Sequence, residues 1–222
     1  MASSETPSPR PVAEPRKRAA LVNTRSRDTR ESLVSAALRL WSDGDFGAVY
    51  EATTPADIAR AAGVSKGTFY FHFANKEDLL REMLSATARA AISEVAQGRS
   101  RGVPLFPLAE QVMAAMAGRV ASIPKAAALR AGAVSLKSRL SQTTLTIPRG
   151  TLPAFEDLVR HGMERGELAA GTDVEDAAAM LHTVTLDVII QWGQEDQPAA
   201  WLGQRLSRRV EIILRGLMLP PA

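Results

Sequence analysis

Four consecutive residues, Ser65-Lys66-Gly67-Thr68, combine small side chains with hydroxyl donors and one positive charge. Tyr70, His72 and Lys76 follow shortly after them and add further hydrogen-bond donors. Small side chains allow close approach to another molecule, and these donors suit phosphate oxygens and base edges. The combination predicts contact with a nucleic acid. Simple solvation of Lys66 on a helix surface is the alternative interpretation.

Patterns typical of an enzyme site are missing from the sequence. It contains no cysteine, no HExxH pair, no glycine-rich phosphate loop and no nucleophile elbow, and its three histidines are His72, His161 and His182. Glu164 and Glu167 near His161 are interpreted as solvated residues at a helix end. We therefore expect no enzymatic activity, no cofactor and no metal site.

The donor-bearing residues lie in a segment that predicts two short helices joined by a tight turn. Thr54 is suited to cap a helix that begins at Pro55, and Gly63 is suited to end that helix with a positive φ. Ser65 is suited to cap a second helix over about Lys66 to Phe71. Such a helix-turn-helix places the second helix in the major groove of DNA.

Helical spacing of apolar residues also dominates the rest of the chain. A first helix is predicted from about Arg27 to Asp43, followed by a loop from Asp45 to Thr53. A long helix is predicted to follow Asn75 and to end near Gly98. Further helices are predicted over about 105–121, 125–140, 149–165, 173–193 and 198–218, and residues 142–147 are predicted to form an extended loop. The predicted fold class is therefore all-α.

Composition and charge favour a globular protein with an anionic partner. Hydrophobic residues make up 45% of the chain and charged residues 23%, and no run of about 20 apolar residues could span a membrane. The net charge is only +3. Basic residues nevertheless crowd the N-terminus, at Arg10, Arg16, Lys17, Arg18, Arg25, Arg27 and Arg30. This basic cluster predicts an anionic partner, with nucleic acid preferred over an acidic membrane. A tail that only increases solubility is the alternative interpretation. Because the N-terminus lacks a signal peptide's apolar core, the expected location is the cytoplasm.

The helix-turn-helix segment resembles the signature of the tetracycline-repressor (TetR) family over about Arg27 to Met83. The matching residues are Tyr50 to Thr54, Asp57 to Ala59, Ala62 to Tyr70, His72-Phe73, Asn75 to Glu77 and Leu79-Leu80. This resemblance implies a homodimeric DNA-binding regulator, a repressor rather than an activator. One departure is visible: the loop after Gly44 is longer than usual, and Asp45 to Ala48 look inserted.

The resemblance also implies a division into domains and a set of DNA contacts. Residues 1–24 are expected to form a disordered basic arm, 25–85 the head with its helix-turn-helix at about 54–73, and 86–222 an effector-binding and dimerisation domain. The implied DNA-binding residues are Thr54, Ser65, Lys66, Gly67, Thr68, Tyr70, His72 and Lys76. Phe69 and Phe73 are expected to pack the core of the head.

The C-terminal domain is expected to bind two further partners, a small, largely apolar effector and a second copy of the chain. The pocket candidates are Met113, Met116, Phe155, His182 and Trp192, for which ordinary core packing is the alternative. The dimer candidates are Leu181, Val184, Val188, Leu206, Val210, Ile213 and Leu217, for which burial within one subunit is the alternative. Two other functional hypotheses remain. The protein is a transcriptional activator with the same head, or it is a helical interaction module that does not bind DNA.

Overall fold

A computed structural model describes residues 15–42, 45–140 and 150–218, and all the regular structure in those ranges is helical. The helices are α1 Pro15–Leu40, α2 Phe46–Ala52, α3 Pro55–Ala61, α4 Lys66–His72, α5 Lys76–Ser100, α6 Leu105–Ala121, α7 Lys125–Leu140, α8 Leu152–Glu164, α9 Val174–Gln194 and α10 Ala199–Gly216. The predicted all-α fold class is confirmed. The predicted extended loop at 142–147 lies outside the described residues.

Helix α1 begins at Pro15, well before the predicted start at Arg27. Residues 15–24 of the predicted disordered arm are therefore helical, which is a correction to that boundary. Residues 1–14 lie outside the described part of the chain. Alanine, leucine and arginine favour helix in this stretch, so the helix of the head continues backwards through it.

Helix α2, Phe46–Ala52, occupies the segment predicted as a loop. The Asp45 side chain caps it by accepting a hydrogen bond from the Gly47 backbone at 3.0 Å. Phe46 and Tyr50, one turn apart, pack against Trp41, with ring centroids 6.0 and 5.0 Å from the Trp41 ring. Helix α2 forms because these aromatic contacts supply stability that its local propensity does not predict.

The head is built from α1 to α4 and the start of α5 around one hydrophobic core. Its largest fully buried side chains are Leu33, Trp41, Tyr50, Ile58, Phe69, Phe73, Leu79 and Leu80. The expectation that Phe69 and Phe73 pack inside the head matches their burial, at 0% and 2% exposed. Each such side chain stabilises the fold by about 1.5–3 kcal/mol relative to the exposed state.

The second unit is a bundle of α5 to α10 around a core of its own. Helices α5 and α6 pack on each other, and α9 packs against α7, α8 and α10. Gly193 permits the close approach of α9 to α7, because a Cβ atom there would lie 2.6 Å from the Leu129 Cβ atom. The long α5 belongs to both units, since Leu79 lies in the core of the head and Val95 in that of the bundle. It therefore joins them.

Several predicted dimer residues serve the core of their own subunit. Leu181, Val188, Leu206 and Val210 are at most 1% exposed. In this conformation they cannot contact a second subunit, so the amphipathic pattern at these four positions records packing within the bundle. Val184, Ile213 and Leu217, in contrast, are only partly buried.

Within the described ranges, no individual helix combines the length and the apolar character needed to cross a membrane. Helices α6 and α7 satisfy those criteria only when taken together, as a pair bent by 116°.

Candidate nucleic-acid interface

The first helix of the helix-turn-helix, α3, begins with a reciprocal cap. The Asp57 backbone N–H donates to Thr54 Oγ1 at 3.2 Å, and the Thr54 backbone N–H donates to Asp57 Oδ2 at 3.0 Å. The Thr54 hydroxyl also donates to Asp57 Oδ2, at 2.6 Å. These hydrogen bonds from Thr54, together with the charge of Arg60, lower the pKa of the Asp57 carboxyl. Thr54 is exposed, but its hydroxyl hydrogen is already committed to Asp57.

Gly63 makes the turn between α3 and α4 with a φ of 71°. The turn is closed by a hydrogen bond from the Val64 backbone N–H to the Ala59 carbonyl, at 2.9 Å. Helix α4 then begins at Lys66, and the Ser65 side chain caps it by accepting from the Thr68 backbone N–H at 3.0 Å. The predicted helix-turn-helix is thus held by the predicted cap and glycine residues.

The hydroxyl groups of Ser65 and Thr68 lie 2.8 Å apart and share one hydrogen bond. Because two hydroxyls contribute two hydrogens and their mutual bond uses one, the second remains available to an outside acceptor. Lys66 next to them is exposed and forms no ion pair among the described residues, and its ammonium lies 5.9 Å from the centre of the Tyr70 ring. The start of α4 therefore presents one positive charge and one free hydroxyl donor to solvent.

Helix α4 faces inward with Phe69 and outward with Gly67 and Tyr70, and Phe73, directly after the helix, is also buried. Tyr70 is 49% exposed and meets Phe69 edge to face, with ring centroids 5.5 Å apart. Gly67 has no side chain, and a Cβ added there would meet nothing closer than the Ser65 hydroxyl at 3.6 Å. A ligand can therefore approach the α4 backbone closely at Gly67.

The C-terminal end of α4 is anchored by Arg30 of α1. Its guanidinium donates to the His72 carbonyl at 2.9 Å, forms an ion pair with Glu82 of α5 at 2.5 Å and lies 4.5 Å from the Phe73 ring centre. Partial burial, and then the charge of Arg30, lower the pKa of the half-buried His72 imidazole. His72 is therefore neutral at pH 7 and can donate only one N–H to a phosphate oxygen.

Lys76 is half-buried and bonded to α2. Its ammonium donates to the Tyr50 carbonyl at 2.6 Å and lies 4.4 Å from the centre of the Tyr50 ring. It thereby satisfies a carbonyl at the C-terminal end of α2. A phosphate contact from Lys76 would have to compete with that bond.

Phe71 is a residue of this surface that the sequence reasoning missed. It lies in α4 and is 81% exposed, more than any other large hydrophobic side chain described. The signal was present in the sequence, because Phe69 and Phe73 are one helical turn apart and a residue midway between them points to the opposite face.

The helix-turn-helix lies within residues 33–83, which match the family described as bacterial regulatory proteins, tetR family. The chain carries a head of the TetR family. It is a transcriptional regulator with a DNA-binding head of that type.

Similar proteins include other regulators. A fatty acid metabolism regulator protein of Bacillus subtilis is 24% identical over 153 residues, which are 67% of this chain and 77% of that protein. The probable HTH-type transcriptional regulator ArpR of Pseudomonas putida is 29% identical over 178 residues, 75% of this chain and 81% of ArpR. The structure of the TetR-family repressor FadR of Thermus thermophilus, in complex with lauroyl-CoA, matches with a TM-score of 0.58 at 22% identity. That match covers 87% of this chain and 97% of FadR, and it concerns the fold.

The five predicted effector-pocket residues all lie in the bundle and are buried. Met113, Met116 and Phe155 are at most 1% exposed, and they pack in one cluster with Trp192. His182 is 8% exposed, and its Nδ1 atom lies 2.7 Å from the Thr151 hydroxyl. Trp192 Nε1 is buried without a hydrogen-bond partner among the described residues, and the Lys125 ammonium lies 5.3 Å from the Trp192 ring centre.

An open groove lies elsewhere, between α1, α5 and α6, with a volume of about 1040 Å³. Val34, Met83, Ala90 and Ile123 line its apolar parts, and Arg89 is among its charged residues. None of the five predicted pocket residues lines this groove. The groove is therefore a different feature from the predicted effector pocket.

Helix α2 forms a junction between the TetR-type head and the bundle. The Arg130 guanidinium of α7 lies 4.0 Å from the centre of the Tyr50 ring and pairs with the Glu51 carboxylate at 2.8 Å. Lys76 lies over the same ring. Burial raises the pKa of the Tyr50 hydroxyl, and the charge of Arg130 opposes that rise. Tyr50 is thus contacted by a cation from α5 and by another from α7.

Proposed function

We propose that this protein is a homodimeric repressor that binds a pseudo-palindromic operator and is released from it by a small, largely apolar effector. The single observation that carries DNA binding is the exposed start of α4, where Lys66 has no ion pair among the described residues and a hydroxyl hydrogen of Ser65 or Thr68 is free. The helix that carries these polar groups is fixed in the head. Phe69 and Phe73 are buried, Ser65 caps the start of the helix, and Arg30 binds the carbonyl at its end.

The proposed DNA contacts divide into two sets by their availability. Ser65, Lys66, Gly67, Thr68 and Tyr70 are proposed as the primary contacts, because they lie together on the accessible surface of α4. Thr54, His72 and Lys76 are proposed as secondary contacts to phosphate. Thr54 and Lys76 already form hydrogen bonds within the head, and the His72 ring is half-buried next to Phe73. Secondary contacts should add less affinity, because binding must replace an existing interaction.

The proposed dimer uses the outer face of α9 and α10. Met180 and Ile212 are 49% and 55% exposed, and Val184 is partly exposed. Exposed apolar side chains on the two closing helices support a twofold four-helix contact, with Ile213 and Leu217 near its edge. Such a dimer would place its two α4 helices about 34–36 Å apart, one turn of the duplex, which suits a pseudo-palindrome.

The proposed effector binds within the bundle, with Met113, Met116, Phe155, His182 and Trp192 as pocket residues. Methionine side chains adapt to varied apolar ligands, and the His182 ring and the Trp192 N–H could orient a polar group. Two similar proteins support an apolar effector, since one is named for fatty acid metabolism and another was solved with lauroyl-CoA. The effector would release DNA by favouring a dimer whose heads no longer match successive grooves.

The proposal includes no enzymatic activity. It also includes action in the cytoplasm, because a regulator must share a compartment with the DNA that it binds. Support for the absence of enzymatic activity comes from the relatives, which are named as transcriptional regulators.

A salt titration of DNA binding tests the proposal. The probe is the duplex most enriched from a random library long enough for two half-sites, and binding is followed by fluorescence anisotropy. Affinity should fall steeply with salt, and Lys66→Ala should flatten the slope of log K against log salt by about one unit per half-site contact. The matched control is Lys137→Ala, which removes the same charge from an exposed position on α7 and should leave the slope unchanged. If no duplex is enriched at low salt, the proposal is wrong.

A further inference from the structure

Phe71 has an exposure that packing does not explain. It is 81% exposed, whereas the next most exposed large hydrophobic side chain described, Ile212, is 55% exposed. A phenyl ring held in water loses the stabilisation that burial would give, and this ring lies on the helix whose exposed start is proposed above to contact DNA.

The ring lies on the same face of α4 as the smallest residue of that helix. Gly67 precedes Phe71 by four residues, so the two share one face one turn apart. Because Gly67 has no side chain, nothing projects from the helix at that position beside the ring. Another molecule can therefore contact both the ring and the backbone. Lys66 and Tyr70 flank this face with polar groups.

The backbone beneath the ring is fixed while the ring itself stays uncovered. Arg30 holds the carbonyl of the next residue, His72, at 2.9 Å, and Phe69 and Phe73 hold the inner face of the helix in the core. Among the aromatic contacts described, Phe71 has one, an edge-to-face contact with the His72 ring at 5.0 Å between centroids. The helix that carries the ring is therefore fixed in place before binding.

We propose that Phe71 reads the C5-methyl group of a thymine in the major groove and so fixes one base position in each operator half-site. This inference rests on the proposed DNA binding by α4. The thymine methyl is the apolar group that the major-groove edges of the bases offer, and a phenyl side chain is among the residues that contact it. Cytosine has a hydrogen at that position and would leave the ring partly uncovered.

Deoxyuridine tests this directly, because it differs from thymidine in the groove only by that methyl group. In the duplex enriched by the unmodified protein, each thymine is replaced singly by uracil, and affinities are measured by fluorescence anisotropy. We expect one thymine per half-site at which the replacement weakens binding about fourfold. This factor corresponds to the loss of the free energy gained by burying one methyl-sized group. The Phe71→Ala variant should bind the thymine duplex more weakly than the unmodified protein and should show no further loss with uracil there. Phe71→Leu should retain part of the difference.

The control is Ile92→Ala, which removes a 41% exposed apolar side chain from α5. It should keep both the affinity and the sensitivity to uracil. If no thymine is sensitive, or if Phe71→Ala retains the full sensitivity, the assignment to Phe71 is overturned while DNA binding stands. If no duplex is enriched at all, the proposed function fails and this inference fails with it.

Discussion

The outer face of α4 and the interior of the bundle place their candidate functional residues in opposite environments. On α4, Lys66, Tyr70 and Phe71 are exposed and contribute little to the core of the head. In the bundle, Met113 and Phe155 are fully buried and belong to the core. Recognition on α4 can therefore change without loss of stability, whereas every change to the proposed pocket also changes packing. A ligand in the bundle must replace contacts that hold the fold together.

Two phenylalanines of α4 allow the largest effect to be measured against a matched control. Phe69→Ala should lower the free energy of unfolding by about 3–5 kcal/mol, because it empties a fully buried site. Phe71→Ala, two residues away, should change it by less than about 0.5 kcal/mol, since the ring is exposed. Urea denaturation followed by circular dichroism measures both. Similar losses for the two variants would show that Phe71 is packed in solution and would remove the contrast.

Met116→Ala tests the bundle side of this comparison, where a candidate functional residue is also part of the core. The side chain is 1% exposed in the bundle, so truncation should lower the free energy of unfolding by about 2–5 kcal/mol. Affinity for the enriched duplex, measured where the variant is still folded, should stay close to that of the unmodified protein, because α4 is untouched. A large loss of DNA affinity without a loss of stability would mean that the bundle and the head are more tightly coupled than their separate cores indicate.

The junction at α2 should give a smaller effect. Glu51→Ala should cost less than about 1 kcal/mol, because the pair with Arg130 is exposed to solvent. Arg130→Ala should cost more than Glu51→Ala, by about 0.5–1 kcal/mol, because it also removes a cation from the Tyr50 ring. Denaturation of the two single variants and the double variant separates the ion pair from the ring contact. Equal costs for the single variants would show that the ring contact contributes nothing.

Particular residues show which parts of the fold could be predicted from the sequence. The helix-turn-helix was predictable because Thr54, Gly63 and Ser65 act locally, through caps and a positive φ. Helix α2 was not, because Gly47 and Val49 have weak helix propensity and the helix depends on the packing of Phe46 and Tyr50 against Trp41.

The candidate sites show the same limit. Leu181 and Val210 have the spacing of an apolar face, but that spacing is identical whether the face is covered within one subunit or between two. Lys76 has the residue type of a phosphate contact, yet its bond to the Tyr50 carbonyl depends on a segment far away in the chain. Residue type and spacing report which face a side chain occupies. They do not report what covers it.

The smallest effect concerns His72, at the end of the recognition surface. Its pKa in the folded protein is lowered from 6.5, so the unfolded chain binds more protons as the pH falls. The contribution of the neutral ring to stability is therefore present above the unfolded pKa and is lost as the pH drops from about 7.5 to about 5. His72→Gln, which does not titrate, should show a flatter fall in melting temperature over that range. DNA binding should have the opposite dependence if His72 contacts a phosphate, because the anion favours the protonated ring and affinity would rise on acidification. A His72→Gln variant with the same pH dependence as the unmodified protein in both measurements would place His72 outside the interface and leave α4 to act through its outer face alone.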